Sequence, residues 1–511
     1  MDVAIGAGPC RSLPPAVPGE MAEVGAAPRP AWPPAWGAGL AWHVSLLLLL
    51  AAGLAAAANP GLKGRVTRSA LEYGRRLGLG ALRSLLQEEH ALNLTGTYRL
   101  PLLGELAFAV PRVRVRQLQI DDSAVDFSED VGVRLAIRHA RVELSADWDA
   151  QLWAVRDGGA VEVRAGDVAV SAVLAVSAGA GGRLAVWSAG CNSSVGSLRL
   201  EFRRGQSWIY NLLAPALQEP LRWELSKHLC PELLRGIRRL EAVLGSMQVS
   251  AQLDPFAAID YSLLRRPEIT AEHGDVSVKG EFLGVGWHRQ SPFSAAPVLL
   301  PAAREPMLLL GVTEFVANSA AFVYFTAGAL RWTVTGDMLP RRFPLRLGTK
   351  NLGLFSPQLQ ELYPDQPMEL RLSARRQPLL SCHPDGLRLA FFGSVEAFVV
   401  LPNATRVSAF LLNIDANVTG KPILTASRIR GSVSLVGLSV AQVESHVGPL
   451  EVKNLQNLLN FGLRMFGVPH ANRKLRAGFP LPAVRHLRLL NPHVTLQEGF
   501  ALIATDLQYE P

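Results

Sequence analysis

The chain has 511 residues, a formal net charge of +8 and 49 % hydrophobic but 18 % charged residues, with a mean hydropathy of +0.18. This length is too great for one ordinary domain and predicts two or three, with enough apolar residues for a large core. The basic residues are dispersed among acidic ones, without the basic run and interleaved aromatic residues that nucleic-acid binding requires. We therefore expect no nucleic-acid partner.

Residues 1–58 are predicted to be an N-terminal extension followed by a signal peptide. Segment 39–58 is apolar and ends in small alanines before Asn59, as a cleavable leader does. A Pro/Ala-rich stretch precedes it, so translation starts at Met1 or at Met21. The alternative is an uncleaved membrane anchor, because about 20 apolar residues can span a bilayer. We favour cleavage, and hence a protein that is secreted to the extracellular space or stored in granules.

An amphipathic helix is predicted to begin directly after the cleavage point. Apolar residues recur at steps of three and four, which marks one face of a helix; they are Leu62, Val66, Ala70, Tyr73, Leu77, Ala81 and Leu85. Basic residues occupy much of the remaining surface. The stripe either packs on a sheet, which we favour, or lies on a membrane surface.

A long antiparallel meander is predicted next, because apolar and polar residues alternate from Tyr98 to Ser188 between glycine-rich turns. Residues 205–246 are predicted to be helical and to cover this sheet. The apolar stripe of that helix includes Leu225, Leu229 and Leu233. Pro215 and Pro220 predict a kinked or broken helix rather than one rod.

The second half repeats this order. A strand-rich stretch at 247–287 is followed by the proline-rich segment 291–306, which is predicted to be an extended linker between domains. Beyond it we predict a helical segment, then strands, a long helix and two closing strands. Their bounds are 312–330 for the first helix, 395–401, 407–414 and 429–436 for strands, 449–466 for the second helix, and 484–490 and 501–507 for the last strands.

Cysteines and sequons agree with secretion. Outside the leader region the chain has Cys191, Cys230 and Cys382, which allow one disulfide. We expect Cys191 to pair with Cys230, tying a loop to a helix, and Cys382 to be free and shielded. Four N-x-[ST] sequons are candidate glycosylation sites: Asn93, Asn192, Asn403 and Asn417.

An ordered set of short segments resembles the bactericidal permeability-increasing protein and lipopolysaccharide-binding protein family. The segments run from residue 59 almost to the C-terminus; they are Asn59-Pro60-Gly61-Leu62, 67–74 (TRSALEYG), 259–263 (IDYSL), 279–282 (KGEF), 337–340 (DMLP), 401–403 (LPN) and 478–482 (GFPLP). The resemblance implies an α+β fold, an elongated two-domain boomerang of two barrel-like antiparallel sheets wrapped by long helices and joined by a central sheet.

The resemblance also implies domains and sites. The domains would be residues 59–290 and 307–511, each holding a phospholipid, which is the one bound molecule expected; no metal or other cofactor is expected. The family disulfide matches Cys191 and Cys230 by position. Seven apolar residues on the two N-terminal helical stripes are lipid-pocket candidates: Val66, Ala70, Tyr73, Leu77, Leu225, Leu229 and Leu233.

The chain departs from the family pattern at one hairpin. Lipopolysaccharide-binding members carry a cluster of Lys and Arg at the tip of the N-terminal domain, whereas residues 147–159 here offer Arg156 against three Asp. A polyanionic ligand requires several convergent cations, so this tip alone would repel it. The lipopolysaccharide-tip candidates are therefore Trp148, Trp153 and Arg156 together with Arg134, Arg138 and Arg141, which are predicted to lie on the adjacent strand.

The sequence contains no metalloprotease, lipase, P-loop or dinucleotide motif, so we expect no enzyme. The leading hypothesis is a secreted protein of innate immunity that binds lipopolysaccharide and phospholipid of Gram-negative bacteria, with bacterial outer membranes and receptor proteins as partners. The alternative is a phospholipid or neutral-lipid transfer protein that meets lipoprotein particles and lacks endotoxin specificity. A third hypothesis is a protein-interaction scaffold whose apolar channels are purely structural.

Overall fold

The computed structural model describes residues 58–87, 94–100, 104–110, 113–152, 155–287, 289–302, 305–339, 346–426, 428–480 and 487–510. Residues 58–511 form one compact unit. Within the described ranges, no helix combines the length and the apolar character that crossing a bilayer requires. The predicted leader and its extension, apart from residue 58, lie outside these ranges.

The N-terminal half begins with a strand of the central sheet and then forms a seven-stranded antiparallel sheet, with one long helix before it and one after it in the sequence. Its elements are β1 (Leu62–Thr67), α1 (Arg68–Gln87), β2 (Leu94–Leu100), β3 (Gly104–Val110), β4 (Arg114–Gln119), β5 (Asp122–Ser128), β6 (Gly132–Leu152), β7 (Val155–Ala178), β8 (Leu184–Arg203) and α2 (Ser207–Ser246). The strand order is β2-β3-β6-β7-β8, and β4 and β5 pair with the remainder of β6. The predicted meander is confirmed, and α2 covers it along β8.

Five short strands follow α2, and the C-terminal half then forms a second large antiparallel sheet with its own helices. The short strands β9 (Ser250–Gln252), β10 (Ala257–Asp260), β11 (Glu268–Ile269), β12 (His273–Val278) and β13 (Glu281–Gly284) come first. The next elements are β14 (Leu308–Thr313), α3 (Glu314–Thr326), β15 (Arg331–Val334), α4 (Thr349–Leu352), α5 (Pro357–Leu362), β16 (Met368–Ala374), β17 (Leu379–His383), β18 (Gly386–Val400), β19 (Arg406–Leu424) and β20 (Arg428–Ser445). The chain ends with α6 (Val452–Gly462), a π-helical turn (Leu463–Gly467), α7 (Val468–Ala477), β21 (Phe479–Pro480), β22 (Leu487–Gln497) and β23 (Phe500–Tyr509).

The second large sheet has the order β15-β16-β18-β19-β20-β21, with β17 on β18. Its core contains Leu359, Ala397, Val399 and Phe410, and the partly buried residues that pack on it include Leu458 and Leu459 of α6. The predicted strands at 395–401, 407–414 and 429–436 lie almost entirely within β18, β19 and β20. The second predicted helix is right in kind but extends eleven residues further, to Ala477.

A central six-stranded sheet joins the two halves, in the order β11-β12-β1-β14-β23-β22. Here the prediction of a helix from Leu62 is wrong. Residues 62–67 form β1, which pairs with β12 on one side and β14 on the other, and the helix begins at Arg68. The same correction applies at residue 312, which lies within β14, and the helix there begins at Glu314. Pairing with strands more than 200 residues away overrides the local helical period in β1.

A buried ion pair lies at the centre of this sheet. Arg65 and Asp275 face each other across β1 and β12, with Nε–Oδ1 and Nη2–Oδ2 distances of 2.6 and 2.8 Å. Lys63 Nζ lies 3.3 Å from the same carboxylate. Arg65 Nη1 also donates to the carbonyls of Leu300 and Pro301, in the predicted linker. The pair therefore links the central sheet to the linker segment.

The charges around Asp275 decide its pKa. Burial by itself raises the pKa of this carboxyl, but the hydrogen bonds from Arg65 and the positive charges of Arg65 and Lys63 outweigh burial and lower it below its ordinary value. A lowered pKa in the folded state means that ionised Asp275 stabilises the fold.

The proline-rich segment packs on the sheet rather than hanging free. Residues 289–302 contain neither helix nor strand, as its prolines predict. Its Ala295, Val298 and Leu300 are nevertheless buried, and Asn59 Nδ2 donates to the carbonyl of Ala295 at 3.0 Å.

Helix α2 runs as one continuous helix of 40 residues with Pro215, Pro220 and Pro231 inside it. Of the two alternatives predicted at the prolines, the break is therefore wrong, and the kink stays a prediction. Three links to β8 hold the helix in place. Asn211 bonds the backbone of Phe202, the hydroxyls of Ser193 and Ser226 each donate to the other residue's carbonyl, and Cys191 is joined to Cys230. Tertiary contacts along the helix thus compensate for the hydrogen bonds that the prolines remove.

The expected disulfide between Cys191 and Cys230 is present. Cys382 is free and buried, and burial, together with the charges of Glu314 and Glu498, raises the pKa of its thiol to about 12. The thiol is therefore protonated and unreactive at neutral pH.

On the open edge of each large sheet, an asparagine from a helix bonds the backbone of one strand residue. Asn211 Oδ1 accepts the N–H of Phe202 at 2.8 Å and its Nδ2 donates to the Phe202 carbonyl at 3.0 Å. Asn472 of α7 makes the same two bonds with Val433 of β20, at 2.7 and 3.0 Å. Each amide therefore satisfies a backbone N–H and carbonyl that no strand reaches.

We expect Asn211→Ala to lower the free energy of unfolding by about 1 to 3 kcal/mol, because the polar groups of Phe202 lose both partners. Urea denaturation followed by circular dichroism measures this loss. Leu212→Ala, at an exposed neighbouring position, serves as the control and should change the stability by no more than about 0.5 kcal/mol. Equal effects of the two changes would contradict a stabilising role for the amide.

Candidate functional site: an apolar cavity in the N-terminal half

A cavity of about 350 Å³ lies between the N-terminal sheet and the first half of α2. This volume is within the range of about 300 to 1,000 Å³ typical of ligand pockets. Strands β3, β6, β7 and β8 supply one wall and α2 the other. The lining side chains are overwhelmingly apolar and include Leu106, Phe108, Val113, Leu144, Trp148, Val163, Leu200, Phe202, Tyr210, Leu217, Leu221 and Leu225.

An aromatic cluster closes one part of the cavity. The rings of Trp148 and Phe202 meet edge to face with centroids 5.4 Å apart, and Tyr210 lies 4.3 Å from Trp148 and 5.7 Å from Phe202. Trp148 is 4 % exposed, and its indole N–H donates to the Ala160 carbonyl at 3.2 Å. Burial, followed by the charge of Asp157, raises the pKa of Tyr210. These rings present a rigid apolar surface with their polar atoms satisfied or neutral.

Polar side chains lie at the exposed rim. Trp223 lines the cavity yet is 63 % exposed, and Lys227 Nζ lies over its ring, 2.9 Å from the centroid. Lys227 also pairs with Glu224, another lining residue, at 3.7 Å. Thr95 and Thr97 add hydroxyls on the β2 side. An apolar interior with a charged rim suits an amphipathic molecule, because its chain leaves water while its polar end stays hydrated.

Two family descriptions match consecutive parts of the chain. The N-terminal domain of the LBP / BPI / CETP family matches residues 70–247, and the C-terminal domain of the same family matches residues 251–509. The chain belongs to this family. The resemblance found from short sequence segments is thereby confirmed.

Relatives of this LBP / BPI / CETP family member match nearly end to end. The "Bactericidal permeability-increasing protein" of Sebastes schlegelii is 31 % identical over 452 residues, which cover 88 % of this chain and 96 % of that protein. The "Lipopolysaccharide-binding protein" of Homo sapiens is 28 % identical over 464 residues, 91 % and 96 % of the two chains. A crystal structure of lipopolysaccharide binding protein aligns with a TM-score of 0.56 at 26 % identity, covering 88 % of this chain and 99 % of that one.

These matches confirm the α+β fold, with two large antiparallel sheets, long helices and a joining central sheet. As a member of the LBP / BPI / CETP family, the protein is a lipid-binding protein and not an enzyme.

The predicted lipid-pocket residues of this family member do not lie together. Leu225 lines the cavity. Leu225 and Leu229 both pack on the adjoining core cluster, and Leu233 is half-buried further along α2. The other four candidates lie elsewhere, Val66 on β1 of the central sheet and Ala70, Tyr73 and Leu77 on α1. The Tyr73 hydroxyl accepts the N–H of Tyr509 at 2.8 Å, which is a structural contact with the last strand.

Most residues that line the cavity were not among the predicted lipid-pocket residues, although the sequence pattern of α2 indicates several of them. Tyr210, Ala214, Leu217, Leu221 and Leu225 follow one another at steps of four, three, four and four, so the apolar stripe of α2 continues back through the prolines. The prediction of a kinked or broken helix at Pro215 and Pro220 hid this continuity. The strand residues carry a period-two signal that core positions share, so it could not separate cavity from core.

The candidate lipopolysaccharide tip is not a basic surface. Trp148, one of the tip candidates, lies in the core and lines the cavity, so it does not form part of the surface of the hairpin. Trp153 lies outside the described residues. Arg156 donates to Gln151 at 3.1 Å, and Asp147 and Asp149 are exposed on the same hairpin. The described part of the tip therefore presents carboxylates rather than converging cations.

The neighbouring arginines face carboxylates on adjoining segments. Arg141 lies 2.7 Å from Asp121, and Arg138 lies 3.7 Å from Asp122. Arg134 stands directly opposite Asp126 in the register of β5 and β6. These local charges offset one another, so the three arginines do not form the cationic cluster that the sequence analysis considered.

Three of the four sequons are exposed. Asn192 lies on β8 beside the disulfide, Asn403 in the turn after β18, and Asn417 on β19. Asn93 lies outside the described residues. Glycosylation of these sites stays a prediction.

Proposed function

We propose that this protein is a secreted lipid carrier that holds an acyl chain of a phospholipid or neutral lipid in the N-terminal cavity. The observation that carries the proposal is the apolar cavity of about 350 Å³ with polar groups at its rim. Burial of the chain supplies the affinity, at about 0.8 kcal/mol per methylene. The head group lies at Trp223, Glu224 and Lys227, where carboxylate and ammonium groups suit a zwitterion.

Secretion is part of this proposal. The apolar segment 39–58 has the composition of a cleavable leader. The disulfide between Cys191 and Cys230 and the exposed sequons are typical of proteins that fold in an oxidising compartment.

Lipopolysaccharide recognition is the second candidate function, and the names of the relatives favour it. Such a role in innate immunity would bring bacterial outer membranes and receptor proteins as partners. The acidic tip and the carboxylates opposite Arg134, Arg138 and Arg141 count against the N-terminal hairpin as the contact. A polyanion would have to bind by its acyl chains or at another surface.

Binding of the purified protein to lipopolysaccharide and to phosphatidylcholine vesicles, each at low and high salt, separates these functions. Uptake of phosphatidylcholine that hardly responds to salt supports the carrier, because burial of the chain is not electrostatic. Tight binding to lipopolysaccharide alone that weakens steeply with salt supports endotoxin recognition. Absence of both, and of lipid extractable from the purified protein, would leave the scaffold hypothesis.

The acidic tip yields a direct prediction. Asp147→Lys with Asp149→Lys should increase affinity for lipopolysaccharide about tenfold, because two carboxylates that repel phosphate become two cations that attract it. Surface plasmon resonance on immobilised lipopolysaccharide measures the change. Glu241→Lys with Glu361→Lys, at two exposed carboxylates outside the hairpin, is the control for net charge, because it changes the charge by the same amount. Unchanged affinity in the double variant would exclude this hairpin as a contact for the ligand.

A further inference from the structure

Two segments of the C-terminal half contain no acidic residue. Residues 416–443 hold Lys421, Arg428 and Arg430 as their charged groups, and residues 452–497 hold seven Lys and Arg. The whole chain has 43 Asp and Glu in 511 residues, so acid-free stretches of this length depart from its ordinary pattern. They concentrate positive charge in one part of the molecule.

The fold brings the ends of these two segments together. Helix α7 lies along β20, held by the bonds between Asn472 and Val433. Arg428 Nη1, at the start of β20, donates to the carbonyls of Ala477 and Gly478 at 2.8 and 3.0 Å. The tip of the hairpin between β19 and β20 therefore adjoins the C-terminal end of α7.

This junction forms a cationic surface, which we call the C-terminal basic surface. It consists of the exposed residues Lys421, Arg428, Arg430, Arg473, Lys474 and Arg476. Among the described residues, none of the six forms an ion pair with a carboxylate. Arg428 has a structural role, because it bonds the carbonyls at the end of α7. Lys474 and Arg476 lie in the last turn of α7, where the helix dipole favours positive charge. Neither role explains the positive charges of Lys421, Arg430 and Arg473.

Exposed apolar side chains lie among these cations. Ile423 is 55 % exposed and stands directly opposite Arg430, on the same face of the hairpin. Ile429 is 45 % exposed and points from the other face. Cations around protruding aliphatic groups are the composition of surfaces that lie in the boundary of a charged membrane.

We propose that the C-terminal basic surface docks the protein on an anionic lipid bilayer. Ile423 and Ile429 enter the boundary between head groups and acyl chains, and the six cations contact lipid phosphates and carboxylates. The partner is identified by charge and by apolarity together. Negative charge alone would fit a nucleic acid or an acidic protein, but neither offers a hydrocarbon layer to the aliphatic tip. The site is separate from the N-terminal cavity, and its charge is opposite to that of the hairpin at 147–159.

The test is co-sedimentation of the full-length protein with vesicles of phosphatidylcholine mixed with phosphatidylserine, and with vesicles of phosphatidylcholine alone. Arg430→Gln with Arg473→Gln and Lys474→Gln should weaken binding to the mixed vesicles about a hundredfold, since each cation near such a surface contributes about a fivefold factor. Ile423→Ser with Ile429→Ser should weaken it about tenfold with the charge unchanged. Binding of the wild type should fall as salt rises.

The matched control is Arg199→Gln with Arg238→Gln and Arg239→Gln, three exposed arginines of the N-terminal half that remove the same net charge. This variant should bind as the wild type does. An equal loss in both triple variants would overturn the proposal in favour of the overall charge. Equal binding of the wild type to both vesicles, or binding to duplex DNA but not to vesicles, would also overturn it.

Two further measurements show whether a loss of vesicle binding comes from misfolding or from damage to the cavity. The thermal midpoint of each variant should match that of the wild type, because the substituted side chains are exposed. Uptake of a fluorescent phosphatidylcholine from neutral vesicles should also be unchanged. Loss of that uptake in every protein, including the wild type, would contradict the carrier function while leaving membrane docking intact.

Discussion

Asp275→Asn is expected to lower the free energy of unfolding by about 3 to 5 kcal/mol, because it leaves the buried guanidinium of Arg65 without a counter-charge. Arg65 would keep its bonds to the carbonyls of the linker and at most one to the uncharged amide oxygen of the new side chain. Chemical denaturation at neutral pH, followed by fluorescence, measures the loss.

Two controls define the cause. Asp122→Asn breaks an exposed pair with Arg138 and should cost no more than about 1 kcal/mol. The second control is pH. The lowered pKa of Asp275 contributes stability above its unfolded value of about 3.9, and this contribution is lost as the pH falls through the folded value. The difference between wild type and Asp275→Asn should therefore shrink as the pH falls below about pH 4. A difference that does not depend on pH would rule out the charge as its source.

Filling the N-terminal cavity is expected to weaken lipid uptake about a hundredfold while the fold persists. Val163 and Leu200 stand opposite each other on β7 and β8, both line the cavity, and both are half-buried. Val163→Phe with Leu200→Trp adds ring volume where an acyl chain would lie. If the new rings keep four methylenes of the acyl chain out of the cavity, lipid binding weakens by about 3 kcal/mol, or about a hundredfold.

Transfer of a fluorescent phosphatidylcholine from donor vesicles measures this effect. Ser197→Trp is the matched control, because residue 197 is exposed on the same strand β8 and the new ring stays outside the cavity. Its uptake should equal that of the wild type. Undiminished uptake in the double variant, with its unfolding midpoint preserved, would show that lipid binds elsewhere.

How far sequence reasoning reaches depends on the range of the interactions involved. Alternation in 407–414 correctly indicated part of β19, because a half-buried strand records its two faces in its own residues. Residues 62–66 carried both a helical and an alternating pattern, and the choice between them was made by partners at Val278 and Val312. No local pattern contains such partners.

The candidate site shows the same limit. Ala146, Trp148 and Ala150 alternate with Asp147 and Asp149, so the inward position of Trp148 was readable from the sequence. The resemblance to proteins with a basic tip instead predicted that this hairpin is a contact surface. The cavity itself was not readable, since its volume is set by how α2 is spaced from the sheet.

The amide bonds of Asn211 and Asn472 also bear on how this protein behaves at high concentration. Long strands with unpaired edges are templates on which a second chain can add, and β8 and β20 are 20 and 18 residues long. Because helix side chains already occupy part of both edges, a second molecule would have to displace α2 or α7 before it could add a strand there. The protein can thus keep two long strands at the edges of its large sheets with little tendency to polymerise there.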